Sequence, residues 1–350
     1  MRDEFTGPPA KSQGDSPRPT PPTAVTIRPV LQILLITFPF FALVLCGYVA
    51  AKRRMLPLEA IPGMNSFVLF FALPCMLYRF GASTPLGQLL DGGVFLTYLL
   101  CALVMVAFSV AVSLNGRIRW NDASFGALVA AFPNTGFMGV PLLVALLGAQ
   151  AAGPAIVTIV VDMVITTSLC IALSRLDGAD EHGFAHAAKK ALQGMVFNPM
   201  PWSILLGAVA SAVSLTLPKP VMQTVGLLAD AASPVALFTI GAVLARSQML
   251  AAAHNHPPIA LSDYLPVAAI KLLLHPVLVL LVGITAIAWG VPLSKFALTV
   301  MVLVAALPSA SNVSLLAERF GADNGRIARI ILVSTAAAFL TFSGAVSLLT

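Results

Sequence analysis

From residue 30 to the C-terminus the chain is a succession of apolar runs. Each is close to the roughly 20 residues that a helix needs to cross about 30 Å of hydrocarbon. The runs fall at 30–51, 62–80, 94–114, 124–147, 153–174, 200–217, 231–249, 262–287, 294–315 and 326–349. Lipid offers no water to backbone N–H and C=O groups, so a spanning segment must pair them internally, and a helix does so within one run. Charge points the same way. Charged residues make up 10% of the chain and hydrophobic residues 58%, with a mean hydropathy of +0.93. A soluble domain carries about 25% charged residues to cover itself. The expected fold class is therefore an all-α integral membrane protein with ten transmembrane helices.

Residues 1–29 break the pattern. Pro8, Pro9, Pro17, Pro19, Pro21 and Pro22 stand among Ser, Thr and Gly without periodicity, which reads as a disordered N-terminal tail. The net charge of +6 comes from cations between apolar runs rather than from a basic patch interleaved with aromatics. Nucleic acid is thus not an expected partner. Cys46, Cys75, Cys101 and Cys170 lie inside apolar runs with no CxxC pair, so they read as small packing residues and no metal site is expected.

The loops after the odd-numbered runs hold Lys52, Arg53, Arg54, Arg117, Arg119, Arg175, Lys189, Lys190, Arg246, Arg319, Arg326 and Arg329. The loops after the even-numbered runs hold Arg79, Lys219 and Lys295. The positive-inside rule puts the first set in the cytoplasm and both termini outside. Against this, the tail carries Arg2, Lys11, Arg18 and Arg28.

The polar stretch 175–199 divides the chain into five runs at 30–174 and five at 200–350. A proline is expected to interrupt the second helix of each half, Pro74 in the first and Pro234 in the second. FPNTG at 132–136 in the fourth run is matched by LPSASN at 307–312. Five is odd, so the halves must insert with opposite topology, as inverted repeats do in many secondary transporters.

AAFPNTGFMGVPLL, residues 130–143, is the most informative stretch. Pro133 and Pro141 each remove a backbone donor and clash with the preceding turn. Gly136 and Gly139 permit unusual backbone conformations. The helix is expected to unwind near Asn134, which membrane depth tolerates only inside protein or beside a wet cavity. The half-helix that restarts after Gly136 presents unpaired amides and a positive dipole end, an anion site to which Asn134 and Thr135 add polar groups. Pro308, Ser309, Ser311 and Asn312 offer the same chemistry in the second half. Two proline kinks satisfied by their own Ser, Thr and Asn side chains are the plainer alternative.

The run Asn134-Thr-Gly-Phe-Met-Gly-Val-Pro141 resembles the signature of the auxin efflux carrier family, whose bacterial members are often called malonate transporters. NPMPWSILLG, ASPVALFTIGA at 232–242, KLLLHPVL at 271–278 and ALPSASNVSLLAERFGAD at 306–323 resemble that family too. The resemblance runs from about residue 30 to the end. It implies two inverted five-helix repeats with both termini outside, and a scaffold of helices 1, 2, 6 and 7 beside a transport domain of helices 3–5 and 8–10. The substrate would sit where broken helices 4 and 9 cross, with Asn134 and Asn312 as the paired crossover asparagines. The implied location is a bacterial inner (plasma) membrane.

Asp162, Lys271 and His275 are ionisable residues inside apolar runs, which are costly there and by default suggest function. Asp162 could neutralise a cation or carry a proton, or simply pair with Lys271. Lys271 could attract an anion or snorkel to the interface. His275 could relay a proton or serve as a hydrogen-bonded packing residue. His182 and His186 beside Asp180 and Glu181, and His254 with His256, read as solvated loop residues.

The expected function is a secondary active transporter moving a small organic anion or weak acid, a malonate-like dicarboxylate or an auxin-like carboxylate, by alternating access. Expected partners are that anion, a coupling proton or sodium ion, the lipid bilayer and a second copy of the chain in a homodimer. No cofactor is expected. A membrane channel or an intramembrane enzyme is the alternative. The sequence has no P-loop and no catalytic cluster of His, Asp, Glu and Ser near an interface, so the reading is not an enzyme.

Overall fold

The computed structural model describes residues 29–84, 87, 91–176, 199–253 and 260–350. The tail 1–28, most of the 175–199 linker with its histidines and Lys189 and Lys190, and His254 with His256 lie outside the described residues. Among those described, the chain is all helical, and its one strand-like feature is an isolated antiparallel bridge. In chain order the helices are α1 (Pro29–Lys52), α2 (Ala60–Ser83), α3 (Gly92–Ser113), α4 (Trp120–Ala131), α5 (Thr135–Leu147), α6 (Ala149–Leu173), α7 (Pro199–Ala212), α8 (Lys219–Ala253), α9 (Leu261–Ala288), α10 (Lys295–Ala306), α11 (Asn312–Arg319) and α12 (Asn324–Leu349).

Seven described helices are long and apolar enough to cross a membrane, namely α1, α2, α3, α6, α8, α9 and α12. Three shorter apolar ones are Thr135–Leu147, Trp202–Ala212 and Lys295–Ala306. Two of the short ones are short because the runs expected at 124–147 and 294–315 are each cut in two, at 132–134 and 307–311. The run at 231–249 is instead part of a 35-residue helix that starts at Lys219.

The prolines act differently from one another. Pro234 stays inside a continuous α8, and Pro74 does not break α2. The turn before Pro74 is widened to a π-helix at Val68–Ala72. The same widening precedes Pro141, at Thr135–Gly139, and Pro276, at Ile270–Leu274. A proline ring clashes with the carbonyl four residues back, and one extra residue in that turn removes the clash. Pro141 is therefore not a second break of its helix. It sits in the first α-turn after the wide one, where a missing N–H costs little.

Side-chain caps start three helices: Asp91 accepts from the Val94 amide, Ser294 from the Ala297 amide and Asp323 from the Arg326 amide, each at 3.0 Å. Gly148 and Gly321 follow α5 and α11 with φ of 87° and 71°, positive values that glycine adopts without a Cβ penalty.

Two helix pairs approach so closely that only glycine fits. A Cβ on Gly47 of α1 would strike the Phe238 carbonyl of α8, and one on Gly241 of α8 would strike the Val44 carbonyl. In the pair α2 and α7, Gly207 meets the Tyr78 carbonyl and Gly81 the Ile204 carbonyl. Small residues let backbones touch where lipid gives no hydrophobic drive between helices. Gly47, Pro74 and Gly81 recur 160 residues later as Gly207, Pro234 and Gly241.

The most enclosed elements are α4 and α10, the half-helices that lead into the two breaks. Ala123–Phe132 and Val300–Ala310 are buried throughout. Large apolar side chains such as Phe38, Leu45, Leu96 and Leu281 face outward, as an acyl-chain solvent allows.

Polar loops meet at one end. Arg117 pairs with Asp263 at 3.2 Å, Asn121 donates to the Phe320 carbonyl, Arg175 lies over the Phe320 ring and Arg329 over the Tyr264 ring. Arg326, read from sequence as a loop cation, is instead in the first turn of α12 and buried. Its Nε donates to the Asp263 carbonyl at 2.7 Å and its Nη1 to the Asp122 carbonyl at 2.8 Å. This one guanidinium ties together the starts of α4, α9 and α12. Gly126 leaves the space it fills, since a Cβ there would lie 2.8 Å from Nη1.

Candidate functional site

The two breaks lie against each other. Pro133 and Ser309 form the isolated antiparallel bridge. The Asn134 amide donates to the Pro308 carbonyl at 2.8 Å, and the Ala310 amide to the Phe132 carbonyl at 3.0 Å. Each break thus supplies the hydrogen-bond partners that the other lost on unwinding, which is how irregular backbone survives away from water. Ser334 of α12 closes the second break, accepting from the Ser309 amide at 3.3 Å.

Around this bridge the sequence-derived residues divide. Pro133, Pro308, Thr135 and Ser309 are buried, Asn134 is 4% exposed, and Gly136, Ser311 and Asn312 are half-buried. The Asn134 carbonyl accepts from the amides of Met138 and Gly139, so the half-helix restarts at Thr135, one residue before Gly136. Thr135 turns its hydroxyl to the Pro133 carbonyl at 3.5 Å. Gly139 packs directly on the second break: a Cβ there would lie 2.5 Å from Leu307 Cδ1. The Ser309 hydroxyl is buried with no hydrogen-bond partner.

A small cavity, with room for about one water molecule, opens beside the second break. Ser311 and Ser314 line it from the start of α11, Asn65 and Val68 from α2, Phe137 from α5, and Ala236, Thr239, Ile240 and Val243 from α8. The Ser314 hydroxyl donates to the Ser311 carbonyl at 2.9 Å and that of Thr239 to the Val235 carbonyl at 2.7 Å, so both oxygens keep acceptor capacity. Ser233 of α8 donates to the Phe137 carbonyl at 3.3 Å, joining α8 to the restarted helix. Of the residues singled out from sequence, Ser311 alone is in this lining. Asn65, Thr239 and Ser314 are additions. Asn65 carried a weak signal as an amide within an apolar run.

The ionisable residues form a separate cluster on the side of α10. Asp162, Lys271 and His275 are each fully buried. Asp162 accepts from Tyr98 Oη at 3.0 Å and from the Thr166 hydroxyl at 3.2 Å. It does not form an ion pair with Lys271. Lys271 does not snorkel either: its Nζ donates to the Ala305 carbonyl at 2.7 Å and lies 3.1 Å from His275 Nδ1. Ala305 is in the last turn of α10, where unpaired carbonyls and the negative dipole end favour a cation.

Comparison with known proteins follows the same length of chain. A protein of Rhizobium meliloti (strain 1021) described as "Putative malonate transporter" is 28% identical over 89% of this chain and 94% of its own. The Escherichia coli (strain K12) "Uncharacterized transporter YfdV" is 28% identical over 81% of this chain and 86% of its own. "Auxin efflux carrier component 8" of Arabidopsis thaliana is 21% identical over 80% and 87%. The family model described as "Membrane transport protein" matches residues 27–346, and the chain accordingly belongs to this family of membrane transport proteins, the one that holds the auxin efflux carriers.

Proposed function

We propose that this multi-pass membrane protein is a secondary carrier of a small organic anion, working by alternating access, and that its substrate docks beside the crossed breaks. The observation that carries this reading is the pairing of Pro133 with Ser309 next to a small cavity lined in part by polar side chains. Two interrupted helices that meet at a bridge bring two half-helix starts, those of α5 and α11, to one place. Their amides and positive dipole ends favour an anion without any fixed cation. Ser311, Ser314, Asn65 and Thr239 supply hydrogen bonds on the open side. The cavity lies between elements: α2 and α8 give one wall, and α5 and α11 the other. A slide of one wall past the other would change which end is open.

We read the chain as ten spanning helices in two inverted repeats, α1–α6 and α7–α12. The recurrence of Gly47, Pro74 and Gly81 160 residues later supports this. An axis exchanging the halves turns the α1–α8 glycine contact into the α7–α2 contact, and both are present. The cation-rich loops then face the cytoplasm of an inner membrane, with both termini outside. The relatives' names favour the carrier, and among them malonate is a named substrate. A carrier also fits internal pseudo-symmetry better than a channel does, since a pore is more often ringed by repeated residues of several subunits.

The test is a thermal-shift screen of detergent-purified protein with mono- and dicarboxylates, malonate included. A ligand at 100 times its Kd stabilises by about 2.7 kcal/mol. One carboxylate class should raise the melting temperature of wild type and fail to do so for Asn134→Ala and Ser311→Ala. If no carboxylate shifts the protein, or if both variants respond like wild type, the anion site is elsewhere.

A further inference from the structure

We propose that Asp162, with Tyr98, Lys271 and His275, is a proton-binding centre that couples carboxylate movement to a proton. The proposal rests on the carrier reading above and adds a coupling ion to it.

Geometry carries the inference. Asp162 and Lys271 are both fully buried, yet they do not pair. The carboxylate takes two hydroxyl donors, Tyr98 Oη at 3.0 Å and Thr166 Oγ1 at 3.2 Å. The ammonium takes the Ala305 carbonyl and the imidazole of His275. Two separated charges in a membrane interior are expensive, and a structural ion pair would have brought them into contact. Here the two act on each other through charge without touching, each hydrogen-bonded to neutral groups, so a proton can be gained or lost between them.

Local backbone supports the same assignment. The helix widens to a π-turn at Val161–Thr166, and unlike the wide turns before Pro74, Pro141 and Pro276 this one has no proline after it. Side chains build it: Thr167 donates to the Asp162 carbonyl at 2.8 Å, and Thr166 reaches the Asp162 carboxylate. Wide turns are frequent at functional sites, and here the turn places an acid inward without a steric need for it. The second wide turn of the cluster, Ile270–Leu274, holds Lys271.

One atom lacks a role in a purely structural reading. His275 Nε2 is buried with no partner. With Nδ1 facing Lys271, the imidazole can accept the ammonium's proton and present another at Nε2. The Tyr98 and His275 rings lie 6.2 Å apart between centroids, so hydroxyl, imidazole, amine and carboxyl form one contiguous group. The other titratable groups facing it are Cys101 of α3 and Cys170 of α6, both buried. The ionisable side chains of α4 and α12, Asp122, Arg326 and Arg329, sit in the first two turns of those helices, at the loop end.

Lys271 also connects the centre to the substrate. It holds the Ala305 carbonyl in the last turn of α10, and three residues on, the Pro308 carbonyl accepts from the Asn134 amide. A change in charge at Lys271 alters the field at the end of α10 and so at the break where the anion docks. A proton taken up with the carboxylate offsets one of its negative charges. The proton enters at the centre from one side, is held as the carboxylate crosses, and is released on the other.

The test uses purified protein in liposomes with a lumenal pH-sensitive dye and radiolabelled malonate. Expected is uptake accelerated several-fold by a pH gradient, with proton movement in step with malonate. In Asp162→Asn the pH response is lost, malonate-for-malonate exchange remains measurable, and Asp162→Glu restores part of the response. Malonate exchange by wild type with no proton movement overturns the coupling and leaves the carrier intact. If malonate is not moved, infrared titration decides for the centre alone. A protonated-carboxyl band that titrates in wild type and is missing in Asp162→Asn upholds it, and a wild type without such a band overturns it.

Discussion

Gly139 tests how tightly the two broken helices depend on each other. Its ideal Cβ would sit 2.5 Å from Leu307 Cδ1 and 3.2 Å from Thr135 Cγ2. Two carbons rest at about 3.5–4.0 Å, so the Leu307 methyl must retreat by roughly 1 Å or more. Leu307 is fully buried, so its methyl has little free volume to retreat into. Overpacking of this kind costs about 1–3 kcal/mol. Gly139→Ala also gains helix propensity, worth up to about 1 kcal/mol. Gly136 provides the internal control. It lies in the same wide turn, and its Cβ would meet nothing nearer than Leu73 Cδ2 at 4.0 Å. Both alanines receive the propensity gain, so the difference between the variants isolates the clash. Thermal unfolding in one detergent should place Gly139→Ala below Gly136→Ala by about 1–3 kcal/mol, and carboxylate exchange should fall in the first variant more than in the second. Equal stability and equal exchange would refute the direct contact between the restarted helix and the second break.

Other substitutions separate strong from weak contacts. Arg326→Met should destabilise by about 1.5–3 kcal/mol for each charge-assisted hydrogen bond it removes from the two main-chain carbonyls, read by chemical or thermal unfolding. Arg79→Ala should change stability by under about 1 kcal/mol, because its 2.6 Å bridge to Asp230 is partly exposed. Gly241→Leu and Gly207→Leu should both abolish recovery of folded protein by size-exclusion chromatography, because each side chain would enter a backbone-to-backbone contact. A tolerant Gly207 beside an intolerant Gly241 would count against the equivalence of the two helix pairs.

Much of this architecture is legible in the residues. The apolar runs give the helices and the two Pro-Asn-containing stretches give the breaks, because lipid leaves so few ways to satisfy a backbone. Pro234 and Pro141 show where such reading stops. A proline's local effect depends on whether the turn before it can widen, and an extra residue in a helix leaves no mark in composition. Lys271 is equally ambiguous from sequence, since snorkelling and burial need the same side chain, and only the Ala305 carbonyl across from it decides. Asn65 and Thr239 enter the cavity wall through the packing of α2 against α8, a long-range contact that no local pattern encodes. Arg326 looks like a loop cation until the caps of α4, α9 and α12 are brought together.

The most direct test of the central claim is trans-stimulated exchange in proteoliposomes. Vesicles loaded with an unlabelled carboxylate from the class that stabilises the protein receive the same compound labelled outside, for wild type and Asn134→Ala. A carrier with its site at the crossed breaks predicts saturable uptake that preloading accelerates in wild type and that Asn134→Ala sharply reduces. Uptake that fails to saturate and ignores preloading would contradict it.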